Sequence, residues 1–81
     1  MIKVSKLKNI TGRRIAEGRG LLHPPLTQDA LSGKLARIGL QLDRAAIAKI
    51  EKNYRCVYDY ELKAIARALK VEVAWLLGGK V

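Results

Sequence analysis

Phenylalanine is absent from this chain of 81 residues, and one Trp and three Tyr make up all of its aromatics. A core must therefore come from Leu, Ile, Val and Ala, residues that pack well on helices, so an all-α fold is the natural expectation. Cysteine is nearly absent too. Cys56 stands alone, which rules out an internal disulfide and leaves a thiolate zinc site without ligands. A reducing compartment fits that usage. The two prolines are neighbours, Pro24 and Pro25. No apolar run approaches the ~20 residues that a membrane-spanning helix needs. The opening MIKVSKLKN carries positive charge but no sustained apolar stretch and no small-residue cleavage site, so no secretory leader is expected and the chain is assigned to the cytoplasm.

Acidic residues are few: seven Asp and Glu against sixteen Lys and Arg, a formal charge of +9. That much self-repulsion in one small domain points to a polyanionic partner, with nucleic acid foremost. The length allows one compact domain and leaves little room for a separate catalytic module. No catalytic residue, cofactor or metal is expected, and the chain is not read as an enzyme. His23 sits beside the prolines with no acidic or cysteine neighbour at ligand spacing, so it reads as a loop residue.

Residues 1–8 alternate apolar and basic side chains and read as a flexible basic N-terminal arm, with one domain over 9–81. A first helix is expected from Asn9, a candidate cap, to Arg19, with Ile10, Ile15 and Ala16 facing the core and Gly12 and Gly18 weakening it. GLLHPPL must be a loop. Thr27 is a good N-cap for a second helix, with Asp29 in its first turn and Leu31, Leu35 and Ile38 as its buried stripe. Gly39 suits the left-handed conformation that ends helices, so residues 39–42 read as a turn. Asp43 can cap a third helix whose Ala46, Ile47 and Ile50 recur at amphipathic spacing, while Arg44, Ala45, Ala48, Lys49 and Lys52 lie on its other side. A loop from Asn53 precedes a fourth helix with Asp59 and Glu61 in its first turn and Leu62, Ile65, Ala66 and Leu69 inside. Val71 and Val73 lead into a short fifth helix through Trp75, ended by Gly78 and Gly79. Trp75 reads as packing, with a dimer contact as the alternative.

The second and third helices, joined by a short glycine-containing turn, have helix-turn-helix spacing. A merely solvated pair of amphipathic helices would show the same spacing, so pattern alone leaves both readings open. The segment TQDALSGKLARIGLQLDRAAIAKIEKN, with its threonine-glutamine start and isoleucine-x-x-isoleucine-glutamate end, resembles the Cro and phage-repressor (XRE-like, lambda-repressor-like) helix-turn-helix family. The similarity runs from about Asn9 to Gly79. It is closest to the subgroup whose second helix and turn are about five residues longer, followed by a tail like VYDYELKAIARALKVEVAWLL.

The resemblance implies a five-helix DNA-binding domain. By it, Gln28 grips a phosphate, Arg44, Ala45 and Lys49 face base edges, and Lys52, Asn53, Tyr54 and Arg55 form a loop that touches phosphates. It also implies a structural pair between Arg19 and Glu51. Departures are Gly18, where the family has a larger residue or alanine, two extra residues in GLLHPPL, and Tyr58 and Glu72 at positions often held by Thr or Ser caps. The expected function is sequence-specific binding of double-stranded DNA by a transcriptional regulator of repressor type, acting as a homodimer on two half-sites. The alternative is an antitoxin-like or adaptor module that keeps the fold and holds another protein with its last helix. Single-strand or RNA binding is disfavoured, because aromatics are not interleaved with the basic face.

Overall fold

A computed structural model of the chain describes residues 7–79. The expected arm thus falls outside the described residues, apart from Leu7 and Lys8. Among the described residues there are five helices and no strand: α1 (Gly12–Leu21), α2 (Gln28–Arg37), α3 (Arg44–Glu51), α4 (Asp59–Leu69) and α5 (Val73–Leu76). None is long and apolar enough to cross a membrane. α2 packs against α3 and α4, α1 packs against α3, α4 and α5, and α5 closes on α4.

Local chemistry sets these boundaries. Thr27 and Asp43 adopt extended backbone and accept hydrogen bonds from the amides of Ala30 at 3.0 Å and Ala46 at 2.8 Å, which fixes the starts of α2 and α3. Four helices end on a left-handed residue whose amide, with the next one, returns to the last turn, Gly78 (φ +96°) doing so after α5. Gly39 (φ +91°) does this after α2, Asn53 (φ +65°) after α3 and Lys70 (φ +59°) after α4. Glycine takes that conformation without penalty and asparagine tolerates it; lysine does not favour it.

The core is aliphatic, as the missing phenylalanines require. Ile15, Leu31, Leu35, Ile47, Ile50, Ile65, Leu69 and Leu76 are almost wholly buried. Two expected core residues are not in it: Ile10 is 52% exposed and Ile38 39%. Ile10 precedes α1, which begins at Gly12 and not at Asn9, so helical periodicity does not apply to it. Ile38 is the residue just past α2 and opens onto a hollow it shares with Ala68 of α4. Ala16 is half-buried. α1 also continues to Leu21, two residues into the segment read as a loop.

Gly18, the departure near the end of α1, has a packing reason. A Cβ there would lie 3.1 Å from Leu69 Cδ1 and 3.6 Å from Trp75 Cζ3, so its absence lets α1 settle on α4 and α5. Trp75 packs against the core and carries the Arg14 guanidinium 4.6 Å above its ring, while Arg14 Nη1 donates to the Trp75 carbonyl at 3.2 Å.

Candidate nucleic-acid interface

α3 has an inner and an outer side. Ile47 and Ile50 anchor it in the core, Leu42 just before it is buried, and Ser32 Oγ of α2 donates to the Leu42 carbonyl at 2.6 Å. That bond fixes where the chain enters α3. At about 100° per residue, Arg44, Ala48, Ala45 and Lys49 fall on the opposite arc. Arg44, Ala45 and Lys49 are exposed and Ala48 is half-buried, so the helix presents two cations separated by methyl groups. A hollow of about 500 Å³ beside them is lined by Asp43, Ala45, Ala46, Lys49, Tyr54 and Arg55.

Arg44 lies 3.7 Å from Asp29 on α2, with side chains 69% and 72% exposed. Such a pair contributes little in water, so Arg44 is free to exchange Asp29 for another acceptor.

Behind this surface, Glu51 is the hub. Its carboxylate accepts from Arg19 Nε at 2.7 Å and Nη2 at 2.8 Å, and from Gln28 Nε2 at 3.0 Å. Arg19 also donates to the Leu26 carbonyl at 2.9 Å. The hydrogen bond to Glu51, outweighing partial burial, holds the Arg19 guanidinium above its ordinary pKa. Because a carboxylate only accepts, Gln28 must turn its NH₂ group towards Glu51, leaving one N–H and its Oε1 for an outside partner.

The loop after α3 divides in two. Lys52 and Tyr54 are exposed, Tyr54 by 72%. Asn53 and Arg55 are occupied inside the fold. Asn53 Nδ2 donates to Asn9 O and Asn9 Oδ1, both at 3.0 Å. Asn9 in turn donates to the carbonyls of Ile50 and Arg55 and accepts from the amides of Thr11 and Gly12, which clamps the start of α1 to the end of α3. Arg55 forms a two-pronged pair with Glu61, each bond 3.0 Å, and donates to the Cys56 carbonyl at 2.7 Å.

Sequence reasoning missed most of the contacts that tie these elements together, among them Ser32 to Leu42, Arg44 to Asp29, Gln28 to Glu51, Asn9 to Asn53 and Arg55 to Glu61. Only the last had a usable signal. Glu at the third position of a helix commonly reaches back to the residue before it, and Glu61 does accept from the Tyr58 amide at 3.0 Å.

Burial alone would raise the Glu61 pKa, but hydrogen bonds from Arg55 and the Tyr58 amide outweigh it and hold the carboxyl below the ordinary range. The same bond raises Arg55. A depressed folded pKa gives stability that is present above the unfolded value of about 4.3 and is lost as pH falls through the folded one. Glu61→Gln is therefore expected to cost about 1–3 kcal/mol at neutral pH, in urea unfolding. The gap to the parent should close below the folded pKa; an equal gap at neutral and strongly acid pH would refute the ion-pair explanation.

No family model matches the sequence, and no curated protein or solved structure matches it significantly.

Proposed function

We propose that the chain is a helix-turn-helix domain that binds double-stranded DNA in a sequence-specific way, as a lambda-repressor-like transcriptional regulator. One observation carries this reading. α3 is pinned by Ile47 and Ile50 while Arg44, Ala45 and Lys49 face away from the body, flanked by Gln28, Lys52 and Tyr54. In such a unit the second helix enters the major groove and the first crosses the backbone. Arg44 and Lys49 suit the guanine acceptors and Ala45 the thymine methyl. Gln28, Lys52 and Tyr54 suit phosphates, which give affinity and register but no sequence information. Asn53 and Arg55 then serve this surface by shaping the loop. Residues 38–43 form the connection between α2 and α3.

Selection of bound duplexes from a random pool tests the proposal. The parent should enrich a palindromic motif, as a homodimer on two half-sites would, and affinity should fall steeply with salt. Arg44→Ala and Lys49→Ala should each relax specificity at one base position, worth about 1–3 kcal/mol. A pool that returns no motif would refute specific recognition.

The competing reading, a module that holds another protein at its C-terminal end, draws on exposed Leu21 and Leu77 and on a hollow of about 400 Å³ lined by Leu21, Val71 and Trp75. It predicts a stoichiometric partner and DNA affinity indifferent to Arg44 and Lys49.

A further inference from the structure

We infer that the groove between the C-terminal halves of α2 and α4 is a docking surface for an acidic, amphipathic segment of a partner protein. The groove is remote from the α3 surface. Relative to its buried Leu31 and Leu35, α2 turns Ser32 towards α3 and Lys34 to the opposite flank, about 160° away at 100° per residue. On that far flank, Lys34 and Arg37 face Arg67 of α4 and Lys70 just after it across a hollow of about 220 Å³ whose apolar lining is Ile38 and Ala68. Lys34 and Lys70 also border a second hollow of about 360 Å³, lined by Leu22, Pro24, Pro25 and Leu26 among others. The surface is thus a run of two apolar hollows with cations on the rim.

Cations near helix C-termini complement the helix dipole, which accounts for each helix taken alone. It does not account for two such ends meeting with an exposed isoleucine between them, nor for the residue at position 70. Lys70 is left-handed at φ +59°, where glycine or asparagine would avoid a penalty of about 1–2 kcal/mol. The lysine at that position places one more charge on the rim, at a conformational cost that a glycine would avoid.

The chain's own acids identify the occupant by elimination. None of the four rim cations takes part in an ion pair among the described residues. Of the seven Asp and Glu in the sequence, Glu17, Asp29, Glu51 and Glu61 pair with arginines elsewhere, and Asp43 and Asp59 accept from backbone amides at helix starts. Glu72 is left, and residues 1–6 and 80–81 contain no Asp or Glu. Neither this chain nor a second copy has an acidic run to offer. A duplex would answer the charge but not the apolar hollows; a segment alternating carboxylates with Leu-like side chains answers both.

The test is fluorescence anisotropy with a short labelled peptide of alternating Glu and Leu, against its Leu→Ser counterpart and a random-sequence duplex. Lys34→Glu with Arg37→Glu should weaken peptide binding at least about tenfold in a protein that still unfolds cooperatively, with only the few degrees of melting temperature that the lost helix-dipole contacts cost, and Arg44→Ala with Lys49→Ala should leave peptide binding unchanged. Ile38→Ser should also weaken it, and this variant together with the Leu→Ser peptide decides the matter if the charge reversal fails to fold. Binding that survives the reversal, or that ignores both Ile38→Ser and the loss of leucine, overturns the inference. So does a duplex that displaces the peptide from Lys34 and Arg37 while Arg44 and Lys49 are changed to alanine, which would make the groove a second DNA site.

Discussion

Glu51→Ala is expected to destabilise the protein by about 3 kcal/mol or more, because it leaves a mostly buried arginine without its counter-ion. The Glu51 and Arg19 side chains are only 8% and 19% exposed and meet at 2.7 Å. For a domain of this size that loss lowers the melting temperature by roughly 12–24 °C. Replacing both partners by methionine should be far milder than Glu51→Ala, since apolar groups of similar volume can stand in for a buried pair. Thermal and urea unfolding of the two variants give the comparison. A Glu51→Ala protein as stable as the parent would mean that water solvates Arg19 in its place. Glu51 also orients Gln28, so if the domain binds DNA as proposed, the single variant should in addition reduce DNA affinity without altering the selected motif.

Gly12→Ala should destabilise the protein by about 2–3 kcal/mol, although alanine is a better helix former than glycine by about 1 kcal/mol. A Cβ at Gly12 collides with the Ile50 carbonyl oxygen and would lie 2.8 Å from that of Glu51. Both are backbone atoms at the end of α3, so no side chain can turn aside and α1 must lift away. Gly20 supplies the control within the same helix. Nothing lies within 4 Å of a Cβ there, and Gly20→Ala should stabilise by about 0.5–1 kcal/mol. Opposite signs at the two positions, read from urea unfolding, would establish the close approach. The same sign at both would contradict it.

The contrast between Gly12 and Gly20 also marks what the sequence could convey. Spacing and capping residues made the helices legible: Thr27 and Asp43 cap where expected, Gly39 ends α2, and the stripe Leu62, Ile65, Ala66 and Leu69 is buried. These depend on chemistry within a few residues. Long-range contacts left no such trace. Gly12 looks like a weak spot in a helix until α3 is laid against it. Asn9 looks like a helix cap, and does accept amide hydrogens at the start of α1, but its other bonds reach Ile50, Asn53 and Arg55. The loop residues show the same limit: Lys52, Asn53, Tyr54 and Arg55 are all polar, and only the fold distinguishes the outward pair from the two that hold the loop. Ile10 and Ile38 lie past the ends of α1 and α2, where helical periodicity no longer decides which way a side chain faces.

The proposed DNA binding requires the outer side of α3 to be the face that meets the duplex. Titrating the isotope-labelled protein with its selected duplex and following backbone and side-chain NMR shifts reads this directly. The predicted result is a contiguous set of perturbed signals at Gln28, Arg44, Ala45, Lys49, Lys52 and Tyr54, with Lys34, Arg67 and Lys70 unmoved. Shifts centred on the α2–α4 groove or on α5, with α3 silent, would contradict it.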